Sequence, residues 1–260
     1  MIHWRFGGWR DEGLPAREDA ASWLCAEERE RLAGFTVAKR AEDWLVGRLN
    51  AKALVVDALV YRYGVRLPPD VIHVWRQPSG APAVRLIGDR ETLRGLPADP
   101  PLCLTNSHSH GHALCAAVWL DGFELSAPIR SLGADLEWVE PRSDAFLRDF
   151  LTSEERAWCA TAAGDARHQI ANLVWSAKEA VLKVVQRGLS VDTWWLSCLP
   201  APGPEAHWLP PLLTPIDGEW EPLAVTCDAR FPTHGLTFAA MWREIGGFVA
   251  TIAVGVTPAA

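Results

Sequence analysis

The chain has 260 residues, 49% of them hydrophobic and 22% charged, enough to bury a sizeable core in one large domain or two small ones. A formal net charge of −7 and the lack of a dense basic run exclude broad nucleic-acid binding, so a phosphate-bearing ligand would need a local site. No apolar run approaches the roughly 20 residues that span a bilayer, and the amino terminus MIHWRFGGWRDEG lacks the basic start and apolar middle of a secretory signal, so a soluble cytoplasmic protein without a membrane partner is expected.

From Ala26 to Tyr63 the pattern is helical. A short acidic and basic segment, AEERERL, precedes Ala41, Leu45, Leu49, Ala53, Val56 and Val60 at spacings of three and four, and Gly64 stops the run. The apolar runs VIHVW, APAVRL, LCLT and ALCAAVWL, separated by Pro, Gly, Ser and His, predict antiparallel strands. A Gly- and Pro-bearing connection, DGFELSAPIR, leads to the strand SLGADLEWV, where a second half begins. Ser143 and Thr152 are placed to cap two short helices, Thr152 with Glu155 as a capping box. A helix from about Arg167 to Arg187 follows, closed by Gly188.

The remaining runs, WWLSCL, LAVTCDA, LTFAAMW and FVATIAV, complete the chain as strands. Each half thus runs long helix, then strands, and ends on strand, tight turn, strand. That order predicts an α+β fold of two similar halves, 1–125 and 126–260, packed side by side. Cys25, Cys103, Cys115, Cys159, Cys198 and Cys227 form no CxxC pair and read as reduced core thiols.

Three stretches carry chemistry. In GADLE, strand alternation puts Asp135 and Glu137 on one face, which suits a hard cation such as Mg²⁺ or raises the pKa of one acid; two solvated acids on an outer face are the plainer alternative. In VWSAKEAVLKVV the stripe Ile170, Leu173, Val174, Ala177, Val181, Val184 and Val185 faces the core, while Trp175, Glu179 and Lys183 line up nearly opposite. Glu179 and Lys183 alone would be a surface pair, but the aromatic one turn earlier implies a covered face whose charges need partners. In NSHSHGH, Ser107 and His108 begin a turn rich in donors for an anion. There, His108, His110 and His112 could instead bind Zn²⁺ or bind nothing.

In this order the three stretches resemble the 4′-phosphopantetheinyl transferases of the surfactin-synthetase-activating (Sfp-like) type. The family carries a Ser-His-Ser turn, a Gly-hydrophobic-Asp-hydrophobic-Glu strand and a Trp-Ser/Thr-x-Lys-Glu-Ala/Ser-x-x-Lys helix; here these are residues 107–109, 133–137 and 175–183. KRAEDWLVGRLNAK is similar to the family's Arg-rich amino-terminal helix, so the likeness covers nearly the whole chain. It implies two α+β halves forming a pseudo-dimer, with coenzyme A in the cleft between them. The implied reaction is transfer of the phosphopantetheine arm to a serine of an apo acyl or peptidyl carrier protein, in fatty-acid, polyketide or nonribosomal peptide synthesis, releasing 3′,5′-ADP.

By the same resemblance Asp135, Glu137 and Glu179 hold Mg²⁺, with Glu179 either a ligand or the base, and Lys183 neutralises the attacked phosphate. Ser107 and His108 contact coenzyme phosphates, His108 counting among the catalytic residues, and Arg31, Arg40, Arg48 and Lys52 serve the 3′-phosphate and adenosine end. Lys178 reads equally as a second phosphate contact or a surface lysine.

Two departures stand out: Gly80-Ala81-Pro82 lacks the basic residue usual in that hairpin, and Glu28 sits where a basic residue is common, leaving Arg31 to do more. The protein is expected to act as a monomer and to dock its carrier through a local patch between about Arg142 and Ala166 that includes Arg148. The competing functions are a zinc-dependent hydrolase built on His108, His110 and His112, and a non-catalytic coenzyme A binder.

Overall fold

Apolar residues at helical spacing produce the helix α2 (Ala38–Tyr63), which Gly64 ends by taking a left-handed φ of 66° and donating its N–H to the Val60 carbonyl at 2.8 Å. The computed structural model describes residues 1–9, 13–121, 129–201 and 220–258. These fall into two units, His3–Trp119 and Met1–Ile2 with Leu120–Ala260. The expected boundary between residues 125 and 126, with most of DGFELSAPIR, lies outside the described residues.

In the first unit α1 (Ala26–Ala33) and α2 are separate helices. Four strands occupy the runs expected for them: β2 (Ile72–Arg76), β3 (Pro82–Leu86), β4 (Leu102–Ser109) and β5 (His112–Trp119). A further strand, β1 (Ile2–Gly8), was not expected; it is an edge strand whose formation depends on pairing with β5, more than a hundred residues away. The sheet order is β1-β5-β4, with the β2–β3 hairpin beside β4. Its core gathers Leu54, Val55, Leu59, Ile72, Leu104 and Trp119.

The second unit is one five-stranded antiparallel sheet of β6 (Ile129–Trp138), β7 (Leu196–Pro200), β8 (Glu221–Cys227), β9 (Thr237–Ile245) and β10 (Phe248–Val256), in the order β6-β10-β9-β8-β7. Helices α3 (Asp144–Phe150), α4 (Ser153–Cys159) and α5 (Gly164–Val184) lie between β6 and β7 in the chain. Ser143 accepts the Phe146 N–H at 3.1 Å, and Thr152 and Glu155 exchange both capping-box bonds. Helix α5 ends at Val184, and Gln186 adopts the left-handed φ of 55°, so Gly188 is not the residue that closes it.

The protein is therefore α+β, and the two units share a strand order: a strand, then helices ending in a short and a long one, then four strands, in the spatial order β1-β5-β4-β3-β2 or β6-β10-β9-β8-β7, with α3 an additional α-helix in the second. In the first unit the hydrogen-bonded ladder breaks between β4 and β3. Helix α5 lies very close to its sheet. A Cβ on Gly133 would stand 1.9 Å from the Ala180 carbonyl oxygen, and one on Gly255 would stand 2.8 Å from Val184. Glycine at both positions is what lets the helix settle there.

Each unit seals an acid and a lysine inside. Glu155 pairs with Lys178 at 2.7 Å, and both side chains are wholly buried. The other Glu155 oxygen accepts the Cys198 N–H of β7, while Lys178 also donates to the Phe150 and Thr193 carbonyls. In the first unit Glu28 pairs with Lys52 at 2.6 Å, accepts the Val74 N–H of β2, and Lys52 donates to the Pro69 and Ile72 carbonyls. The short helix, the long helix and the first strand of the hairpin are thus tied at one buried point in both units. Removing one partner strands a buried charge, at a cost of about 3–5 kcal/mol. Lys178→Met should lower unfolding stability by that amount in urea denaturation, and Glu155→Leu combined with Lys178→Met should recover most of it.

Candidate functional site

Lys178 points inward, and at about 100° per residue this turns Trp175, Glu179 and Lys183 of α5 toward a neighbouring face. Trp175 meets Phe146 and Phe150 edge-on, with ring centroids 5.2 and 5.0 Å away, so that face is covered as expected. Lys183 reaches β6, where its ammonium donates to Asp135 Oδ1 at 2.8 Å and to the Ala134 carbonyl at 2.9 Å. Asp135 is buried and Glu137 half-buried, on the same face of the strand. The Glu137 carboxylate accepts from Arg142 Nη2 at 2.8 Å.

Arg142 was expected only as the start of the docking segment, not as a partner of Glu137. Its guanidinium also donates from Nε to Asn172 Oδ1 at 2.7 Å and pairs with Glu140 at 3.1 Å, and it lies over the Phe146 ring. Asn172, wholly buried on α5, donates in turn to the Glu140 and His168 carbonyls. The segment after β6 is thereby stitched to α5. An Arg five residues beyond the acidic pair was the available signal, but its direction depends on how the chain turns after Trp138.

Electrostatically the acids act as one group. Burial, then the neighbouring Asp135, push the Glu137 carboxyl up to about 7 against the pull of Arg142, with Glu179 adding to the rise. Glu179 is raised by burial and by Asp135, and lowered by Lys183. Carboxylates that disfavour one another's charge form the all-oxygen donor set that Mg²⁺ takes, and a divalent cation would relieve their repulsion. Their oxygens do not all come within 4.8 Å of one another; among the described residues the group of three that does is Cys25, Glu27 and His73.

In the first unit a cavity of about 620 Å³ is walled by Trp44 and Trp75 and carries Arg31, Arg48, Arg76 and His108. Trp44, Gly47, Arg48 and Ala51 reach it from one face of α2, a periodicity the sequence displayed without saying what it faced. The Arg48 guanidinium is mostly buried; it stacks over Trp44, bonds the Val74 carbonyl and lies 3.6 Å from Glu28. Arg76 donates to the Gly80 carbonyl at 3.2 Å, so the hairpin whose Ala81 lacks a basic side chain receives its cation from five residues earlier.

Other expectations are corrected. Lys52 is not available to an adenosine or 3′-phosphate: it is wholly buried and committed to Glu28 and two carbonyls. Glu28 is accordingly an internal strut, not a departure that leaves a ligand contact vacant. Lys178 is neither a phosphate contact nor a surface lysine but the equivalent buried partner. Arg40 is exposed on α2 and does not line the cavity, and Ser107 alternates away from the Asn106 and His108 face that does.

The zinc reading of the histidine turn also fails. Ser109 pairs directly with His112, so strand alternation sends His108 and His112 to opposite faces. His112 stacks on Phe6, while His110 occupies the turn at φ 47° and its Nδ1 meets Ser109 Oγ at 3.0 Å.

Residues 131–215 match the family model described as the 4′-phosphopantetheinyl transferase superfamily. No curated protein matches the chain in sequence. Among solved structures, a holo-(acyl-carrier-protein) synthase of Bacillus anthracis in complex with CoA is similar over 50% of this chain and 98% of its own, at 16% identity and a TM-score of 0.38. An ACPS–CoA complex of Chronobacterium ammoniagenes is similar over 50% and 98%, at 14% identity and 0.36. A Helicobacter pylori holo-[acyl-carrier-protein] synthase in complex with coenzyme A is similar over 48% and 98%, at 17% identity and 0.35. At these values the site itself has to carry the functional reading.

Arg142 is the nearest cation holding Glu137 down. Arg142→Ala should move the Glu137 carboxyl further above about 7 in protein stripped of divalent cations. Carboxyl-carbon NMR titration reads this directly.

Proposed function

We propose that the protein transfers the 4′-phosphopantetheine arm of coenzyme A to a serine of an apo acyl or peptidyl carrier protein, in a Mg²⁺-dependent reaction that releases 3′,5′-ADP. The observation that supports this reading is where the family match falls: residues 131–215 include Asp135, Glu137, Glu179 and Lys183, and Lys183 of α5 reaches Asp135 of β6.

The chemistry follows from these side chains. Asp135, Glu137 and Glu179 would hold Mg²⁺, whose contribution there is to neutralise diphosphate charge. Glu179 is either that third ligand, with a neighbouring water taking the proton of the attacking serine, or, left unligated, the base itself, its basicity raised by burial and Asp135 above that of a solvated carboxylate. Lys183 shifts between Asp135 and the phosphoryl oxygens, offsetting the charge that builds as the serine oxygen bonds to phosphorus and 3′,5′-ADP departs. Arg142 and Asn172 hold the Glu137 side of the site in place. Arg31, Arg48, Arg76 and His108, between the walls Trp44 and Trp75, suit the phosphate and base of a nucleotide. The carrier is proposed to dock on α3 and α4, where Arg148 is exposed beside Asp149.

A panel of apo carriers incubated with protein, coenzyme A and Mg²⁺ should each gain at most one phosphopantetheine by intact-mass spectrometry, with at least one carrier fully converted. Glu179→Gln should reduce kcat by about 10²–10⁴-fold, and Asp135→Ala should also abolish efficient turnover. Carriers that all stay unmodified while coenzyme A binds normally would instead establish a non-catalytic binder.

A further inference from the structure

The first unit holds a second set of candidate ligands that the transferase reading does not use. Cys25 is the N-cap of α1, Glu27 lies in its first turn, and His73 is on β2; a sulfur, a carboxylate oxygen and an imidazole nitrogen from these three all lie within 4.8 Å of one another. We propose that they bind one divalent transition-metal ion of the Zn²⁺ class, independently of the transferase reading.

The donor set decides the class of ion. Thiolate, imidazole and carboxylate together match Zn²⁺ or Co²⁺ and are a poor match to Mg²⁺, which prefers oxygen alone. Three protein ligands leave one tetrahedral position for water or an incoming group. Glu27 and His73 both line the 620 Å³ cavity that carries Arg31, Arg48 and Arg76, so the ion borders a space suited to anions.

The positions are held before any ion arrives. Glu28 accepts the Cys25 N–H at 3.1 Å with one oxygen and the Val74 N–H, next to His73, at 3.0 Å with the other. Its pairing with Lys52 fixes that bridge from inside. The sulfur accepts the Glu28 N–H at the start of α1, but burial outweighs that bond and pushes the Cys25 group up to about 11, so it is a thiol until an ion displaces its proton. On binding, the thiol proton passes to solvent and the ion takes its place between sulfur, carboxylate and imidazole.

The second unit supplies an independent comparison. At the matching points of its shared topology stand Thr152, Glu154 and Ser197, with Glu155, Lys178 and the Cys198 N–H in the roles of Glu28, Lys52 and the Val74 N–H. Threonine is also the better helix cap. The matching positions there carry neither a thiol nor an imidazole.

The test is a titration of metal-free, reduced protein with Co²⁺ in excess Mg²⁺. One equivalent should bind with a thiolate-to-cobalt charge-transfer band, and Zn²⁺ should displace it. Cys25→Thr and His73→Ser install the residues of the second unit, so both should keep the wild-type melting profile; Cys25→Thr should lose the band and His73→Ser the tight binding. Glu27→Gln, at an exposed position, should keep the band and weaken binding roughly ten-fold or more. A wild-type protein with no saturable band, or a band that survives Cys25→Thr, overturns the proposal.

Discussion

A glutamate and a lysine shut away from water set the geometry on which everything else in each unit depends. An ammonium and a carboxylate with no solvent tolerate little slack: each needs the other and the remaining hydrogen bonds must be met by backbone. Glu155 and Lys178 meet that demand with the Cys198 N–H and the Phe150 and Thr193 carbonyls, which fixes α4, α5 and β7 together and sets the rotation of α5. With residue 178 aimed inward, residues 179 and 183 have no choice but to present themselves beside β6.

The approach of α5 to β6 completes that arrangement. Gly133 has no side chain to hold the Ala180 carbonyl away, and Asp135 two residues on shares its face of the strand, so the contact that buries the helix also brings the acid within reach of Lys183. The resulting cluster is electrostatically tense, with carboxylates raised by burial and by each other and two cations, Lys183 and Arg142, restraining them. Such tension is costly in a site that stays empty and useful in one that receives a cation and a diphosphate.

The same strut recurs in the first unit, but what surrounds it has diverged. Glu28 and Lys52 repeat the buried pair and the tie to the hairpin strand, while the positions one turn or one strand residue away carry Cys25 and His73 in place of Thr152 and Ser197, and α2 presents Trp44 and Arg48 to a cavity. Shared architecture and separate chemistry fit a duplicated unit in which the tie was kept because removing either partner strands a charge, while the positions beside it changed.

Much of this was legible in the residues themselves. The strands, the capping by Ser143 and Thr152, the long helices, the placing of Asp135 with Glu137 on one strand face and of Glu179 with Lys183 on one helix face follow from local periodicity, because alternation and the 3.6-residue turn dictate which side chains share a face. The sequence could not say that Lys52 and Lys178 face inward, that Arg142 folds back onto Glu137, that β1 joins a sheet edge, or that the His108 turn splits its histidines while Cys25, Glu27 and His73 converge. Each of those depends on segments far apart in the chain meeting in space. A charged residue looks the same in sequence whether its partner is water or a buried ion, and only the tertiary structure decides which.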